Sequence, residues 1–273
     1  MAYGLLKGKR GIIFGALNPG SIAWKVALKA KEEGATFTLS NTAMALRMGS
    51  IDELSKATGA KVIVADATNM EELSSLVKES VETLGGKIDF VLHSIGMSPN
   101  VRKEIPYGGL NYKNLDKTLD VSAISFHKVM QTLREQDALN EWASIIGLSY
   151  IAAQRIFDGY SDMADAKALL ESIARSFGYI LGREKNVRVN TVSQSPTETT
   201  AGNGVKGFNR LIDFAEQMSP LGNATGEECA DYCITLFSDL TKKVTMQNLF
   251  NDGGFSNVGI SYEALQQYEK GLE

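Results

Sequence analysis

The sequence predicts an α/β fold in which one doubly wound parallel sheet carries helices on both faces. Three observations predict it. Short apolar runs alternate with longer stretches of helical spacing from one end of the 273 residues to the other. A glycine-bearing turn joins the first run to the first helical stretch. No Pro/Ser-rich linker, internal repeat or low-complexity block interrupts the alternation, so the chain 1–273 reads as a single domain.

In chain order, the first strand is expected over 11–14, an apolar run ending at Phe14, and the first helix over 22–33. The second strand, 36–39, leads into a polar stretch, and the third, 62–64, precedes a helix over 71–84. A fourth strand over 90–93 is followed by a helix over 115–133. The fifth strand, 144–146, is followed by a helix over 163–181. The last strands, 187–192 and 248–250, flank a helix over 227–237. Repeated strand–helix–strand units close by right-handed crossovers, which makes the sheet parallel. The longest stretch without periodicity, 193–207, contains Pro196 and glycines 202, 204 and 207, and loops of that length are often functional covers.

Composition narrows the function. A chain of this size buries roughly 75% of the surface its unfolded form exposes, so neither disulfides nor metal are needed to hold a core. The net charge of −4 gives no general reason to bind nucleic acid. Cys229 and Cys233 lie four apart and read as buried thiols on one helix face. His93 and His127 are far apart, and without a Cys/His cluster no metal site is expected. The first ten residues are too polar for a signal peptide and no apolar run reaches a membrane span, so a cytoplasmic protein is expected.

In an open α/β sheet the ligand sits beyond the carboxyl ends of the strands, so the segments after Phe14, Val64, His93, Ile146 and Val192 are expected to share a crevice. The turn Gly15-Ala-Leu-Asn-Pro-Gly20-Ser21-Ile22-Ala23 suits a phosphate loop. Glycines let the backbone approach a pyrophosphate, and Ser21 with the free amides of the helix start donates to it. Its spacing is neither G-x-G-x-x-G nor a P-loop, and an ordinary strand–helix turn has the same composition. After the second strand stand Leu39-Ser40-Asn41-Thr42 without a carboxylate. Asn41 suits ribose hydroxyls, and Arg47 is either a phosphate ligand or a solvated helix residue. Asp66-Ala67 is placed to hold an adenine ring or to cap a turn. Ser94-Ile95-Gly96 would bring main chain against a cofactor, and His93 is read as a satisfied structural histidine.

Tyr160 and Lys167 are seven residues apart, with Tyr150 directly after Ser149. A phenol is a weak acid at neutral pH, and a nearby ammonium would favour its phenolate and strengthen its hydrogen bonding. A lone pair of this kind is common by chance, as Tyr3-Gly-Leu-Leu-Lys7 illustrates.

Together these residues resemble the short-chain dehydrogenase/reductase superfamily, whose fold is Rossmann-like, and within it the divergent bacterial type I enoyl-[acyl-carrier-protein] reductases. The resemblance runs from Leu6 to Phe255. It rests on Gly-x5-Ser-Ile-Ala at Gly15 to Ala23, His93-Ser94-Ile95-Gly96, Leu148-Ser149-Tyr150, Tyr160-x6-Lys167 and Val187-Arg188-Val189-Asn190. The Tyr-x3-Lys pair of ordinary ketoreductases is absent here, because Gln154 follows Tyr150 by four and Ala164 follows Tyr160 by four.

The resemblance implies reduction of a trans-2-enoyl thioester with NADH, the last reductive step of fatty-acid elongation, with NADPH left open. It implies that Tyr160 binds the thioester carbonyl, Lys167 holds the nicotinamide ribose and Tyr150 shapes the substrate site. Cofactor contacts carried over are Gly15, Ser21, Ile22, Asn41, Asp66, Ala67, Ser94, Gly96, Lys167 and Thr199. Met163 and Phe208 would meet the substrate, under a covering segment of about 195–218, and Met218 falls either in the acyl tunnel or in the core. Lys206 and Arg210 would face the acidic acyl carrier protein, and the assembly would be a homotetramer. Two positions depart from the family pattern: Asn41 stands where glutamine is common, and Gln194-Ser195-Pro196 replaces an Ala-Gly-Pro turn. The competing readings are another short-chain NAD(P)H-dependent reductase acting on a carbonyl or other conjugated alkene, and a dinucleotide-binding regulator. The retained Tyr160 and Lys167 argue against the regulator.

Overall fold

The structure, a computed structural model, describes residues 2–197, 199 and 208–271, with Phe208 described by its backbone alone. Seven strands form one sheet: β1 (Arg10–Phe14), β2 (Thr36–Asn41), β3 (Val62–Val64), β4 (Ile88–His93), β5 (Leu139–Ser149), β6 (Arg188–Gln194) and β7 (Asn248–Asn251). Their order is β3-β2-β1-β4-β5-β6-β7, and every neighbouring pair is parallel. The order reverses between β1 and β4, where Phe14 lies beside His93, and this switch point opens a crevice at the carboxyl ends.

The helices are α1 (Ile22–Glu32), α2 (Ala43–Met48), α3 (Ile51–Thr58), α4 (Met70–Leu84), α5 (Pro99–Arg102), α6 (Tyr112–Leu119), α7 (Ser125–Glu135), α8 (Met163–Lys185), α9 (Phe208–Met218), α10 (Gly226–Phe237) and α11 (Tyr262–Lys270). Strand side chains alternate between two cores, one on each face of the sheet. Ile12, Phe14, Val91 and Ile145 pack with α4, α7 and α8, whereas Ile13, Leu39, Leu92 and Ile146 pack with α1, α3 and α10. Cys229 and Cys233 are buried free thiols on the inner face of α10, where mutual contact and burial hold Cys233 protonated.

Local chemistry sets the helix ends. Asn69 caps α4 by accepting from the amides of Glu71 and Glu72, and Gly85 ends it in the left-handed region. Thr225 and Glu228 form a reciprocal capping box on α10. The helix expected over 115–133 is interrupted, because α6 and α7 are joined by a π-helical turn, Asp120–Ile124. That turn aims Ser122 at the cavity loop, where its hydroxyl accepts from Met97 N at 3.0 Å and reaches Met97 O at 3.2 Å.

Candidate active site

A cavity of about 390 Å³ opens at the carboxyl ends of β1, β2, β4, β5 and β6. Its wall includes Gly15, Ser21, Ile22, Asn41, Ser94, Gly96, Tyr150, Tyr160, Met163, Lys167 and Thr199, all singled out in the sequence. Asp66 and Ala67 are not in the wall. Asp66 accepts from the amide and hydroxyl of Thr68, which makes it a turn cap, and Ala67 is buried in the core beneath α4. The segment after β3 therefore stays outside the described cavity, while the end of β2 contributes Asn41 and Ala45.

The first wall is the turn after β1. Gly15 has φ +92, and a Cβ there would stand 2.0 Å from the Ser94 carbonyl oxygen, so only glycine lets the β1 and β4 loops touch. Ser21 N-caps α1 without spending its side chain on the helix amides. Its hydroxyl donates to Asn18 O at 2.7 Å and accepts from Leu17 N at 3.2 Å. The first amides of α1 are thus left to an anion, as a pyrophosphate would need. Asn41 donates to Ala16 O at 3.0 Å, and exposed Arg47 is not in the wall.

At Gly96 a Cβ would meet nothing nearer than Lys167 Nζ and Met163 Cε, both at 3.9 Å, so the missing side chain leaves open cavity in front of the lysine. These features fit a dinucleotide: free amides and a glycine turn at one end, and a cation beside bare main chain at the other. His93 is buried behind this wall. One ring nitrogen bonds Ser125 Oγ at 2.8 Å and the other has no partner among the described residues, so the expected satisfied histidine is satisfied on one side only. Burial and the charge of Lys167 push it down to about 3, which keeps it neutral.

Tyr160 and Tyr150 meet with ring centroids 5.0 Å apart. Burial raises both phenols above their ordinary range. This corrects the expectation of a phenolate favoured by the lysine: desolvation dominates, and Tyr160 is a neutral hydroxyl donor. Lys167, on the inner face of α8, donates from Nζ to Leu148 O at 2.7 Å, and burial lowers it to about 8.

Several wall residues escaped the sequence reading. Met97, Ser98, Val101 and Arg102 follow Gly96 on a loop that folds back as α5. Asp162, fully buried at the start of α8, holds that loop. It accepts from Ser98 Oγ at 2.6 Å, Asn100 Nδ2 at 2.7 Å and Thr118 Oγ1 at 2.9 Å. The available signal was a carboxylate inside the Tyr160-x6-Lys167 motif, flanked by otherwise buried positions. Met218 packs with Tyr150 and Phe255 and does not line the cavity. Arg210 is exposed on α9, whereas Lys206 and the side chain of Phe208 lie outside the described residues.

Residues 15–256 match the family model described as Enoyl-(Acyl carrier protein) reductase. The protein of Rhizobium meliloti (strain 1021) named Enoyl-[acyl-carrier-protein] reductase [NADH] 1 is 33% identical over 262 residues, covering 95% of this chain and 94% of its own. The crystal structure of the FabI–NADH complex from Alistipes finegoldii superposes with a TM-score of 0.96 at 64% identity, over 98% of this chain and 95% of that one. A second FabI structure from the same organism gives 0.93 at 61% identity over 99% of both chains.

Proposed function

Because the chain belongs to the enoyl-(acyl carrier protein) reductase family, we propose that it reduces trans-2-enoyl thioesters on acyl carrier protein with NADH, in the last reductive step of fatty-acid elongation. The observation that carries this reading is the placement of Tyr160 and Lys167 in the wall of the same cavity as the glycine turn after β1.

When bound, NADH supplies a hydride to the β-carbon of the enoyl group. The protein's part is to place the acceptor and stabilise charge. Gly15, Ser21, Ile22 and the amides of α1 hold the pyrophosphate, and Asn41, Ser94, Gly96 and Thr199 border the rest of the dinucleotide. Lys167 has three N–H donors; one is spent on Leu148 O, which leaves two for ribose hydroxyls. Tyr160 donates its hydroxyl hydrogen to the thioester oxygen, where negative charge builds as the β-carbon is reduced, and a preplaced donor stabilises that charge most in the transition state. Tyr150, whose hydroxyl has no partner among the described residues, orients the thioester against Tyr160. Met163 and Phe208 border the acyl chain.

The whole chain acts as one reductase unit in this reading, with segment 195–218 covering the substrate. Lys206 and Arg210 dock the acidic carrier, for which opposite charge raises the encounter rate. Exposed apolar side chains such as Tyr179 on α8 and Tyr262 and Tyr268 on α11 support a homotetramer, in which they would be covered. A cytoplasmic site of action belongs to this reading of a bacterial fatty-acid enzyme; no described helix is long and apolar enough to cross a membrane.

The test is spectrophotometric: NADH oxidation with crotonyl and acetoacetyl thioesters. Turnover of the crotonyl substrate supports the assignment, and turnover of the acetoacetyl substrate alone overturns it in favour of a ketoreductase.

A further inference from the structure

Glu171 stands one helical turn after Lys167 on α8, yet it is only 5% exposed. Its two oxygens are taken by neutral donors, Ser149 Oγ at 2.8 Å and Gln154 Nε2 at 3.1 Å. These two residues lie on either side of Tyr150 in the chain, so one buried carboxylate ties down both flanks of a cavity-lining tyrosine. Burying a carboxylate with only neutral partners is unfavourable. The nearby cation is Lys167, whose own ammonium is bonded to Leu148 O and not to Glu171.

We propose that Glu171 is a positioning residue of the active site: it clamps the Ser149–Gln154 turn that presents Tyr150, and it is the through-space counter-charge of Lys167. This rests on the reading of Lys167 as the cation that holds the cofactor ribose. Burial pulls the lysine towards neutrality, and Glu171 is the group that opposes it. Among the described residues, the other groups set around Lys167 do not share that role. His93 on β4 is neutral, and the phenols of Tyr150 and Tyr160 stay protonated. Asp162 turns to Ser98, Asn100 and Thr118, and Asp120 of the π turn pairs with Lys128 of α7. From α5, Arg102 adds a like charge to the cavity wall, and β6 presents the uncharged Gln194.

The test is the affinity for NADH, followed by its fluorescence as a function of pH, on the full-length protein and on Glu171→Gln, Glu171→Asp and Lys167→Met. The unaltered protein is expected to lose affinity as pH rises through the lysine's value of about 8. Glu171→Gln keeps the shape and loses the charge, and its midpoint is expected about one pH unit lower. Glu171→Asp keeps the charge and is expected to return the midpoint most of the way, a rescue that a purely structural role would not produce. An unchanged midpoint in Glu171→Gln, with binding lost in Lys167→Met, overturns the role of Glu171 and leaves the lysine's role standing. Undiminished NADH binding by Lys167→Met overturns the lysine's role itself. Should Glu171→Gln not fold, Glu171→Asp, which draws the carboxylate back towards the helix, is expected to lower the midpoint by a smaller amount, and an unmoved midpoint there counts against the proposal.

Discussion

The Nζ of Lys167 donates to the main-chain carbonyl of Leu148 over 2.7 Å, which anchors a buried cation to the carboxyl end of β5. That anchor fixes where the charge sits, and it has a thermodynamic consequence.

The folded-state value of Lys167 is lowered from 10.5 to about 8. Between these values the unfolded chain binds a proton that the folded chain has released, so this group's contribution to stability rises with pH there. Below about 8 the full cost of burying the charge is present, about 3 kcal/mol at 1.36 kcal/mol per unit. Losing the bond to Leu148 O offsets part of that in a variant. Lys167→Met is therefore expected to be about 1 to 2 kcal/mol more stable than the parent at neutral pH. The gain shrinks as pH approaches 10.5, while cofactor binding is lost. Denaturant unfolding at several pH values checks both the sign and its decline.

Tyr160→Phe removes one donor to the developing oxyanion and nothing from the cofactor wall. The expected loss in kcat is on the order of 10² or more, with the affinity for NADH within about twofold of the parent. Steady-state rates with crotonyl thioester, beside an NADH titration, separate the two effects. Full activity in this variant would remove the hydroxyl from the mechanism.

Gly15→Ala places a methyl 2.0 Å from the Ser94 carbonyl oxygen at a residue with φ +92. Both the clash and the left-handed backbone count against it, and a loss of about 3 kcal/mol is expected from this single carbon. Gly96→Ala is the control, because its methyl meets only ordinary contacts at 3.9 Å. It should fold like the parent and weaken NADH binding, as measured by melting and fluorescence titration.

The cavity wall after β1 and β2 presents Gly15, Leu17, Ser21, Ile22, Asn41 and Ala45, with no lysine or arginine among these described residues. A 2′-phosphate there would find no cation, and Asn41 already donates to Ala16 O. NADH is expected to give kcat/KM roughly tenfold or more above NADPH, because an unpaired phosphate loses at least one charge-assisted bond. Parallel rates with the two cofactors decide it, and equal rates would point to a cation reaching the site from elsewhere.

Strands were legible where burial on both faces of a parallel sheet leaves an apolar run, as in the Ile12, Ile13 and Phe14 of β1, whereas β6 is buried along its whole length with only Val189 and Val192 apolar. β5 reads too short in the sequence because Asn140 and Glu141 interrupt its apolar run. Trp142 also has φ +64, and the β4–β5 register shifts between Ile88 and Phe90. The short helices α2 and α3, split at Gly49–Ser50, offer too few turns for periodicity to register, and α9 follows a glycine-rich stretch that hides its start.

At the site, residues that face the cavity directly were readable from motif spacing. Those that act through others were not. Asp162 and Glu171 look like surface carboxylates of an amphipathic helix until the fold turns them inward. Asp66 shows the opposite case: its position after a strand suits a ligand, yet Thr68 two residues on absorbs it locally.

The contact between Gly15 and Ser94 joins chain segments that the ribosome makes far apart in time, and β6 and β7 come later still. Helices along the first third can form as soon as they are made, but the crevice exists only once β4 has inserted beside β1 and β6 beside β5. Such non-local pairing is slow relative to local structure. Cofactor capture is thus a late checkpoint of folding, and during refolding NADH fluorescence is expected to recover after the helical signal. Simultaneous recovery of the two signals would show that the switch point assembles in the first collapse.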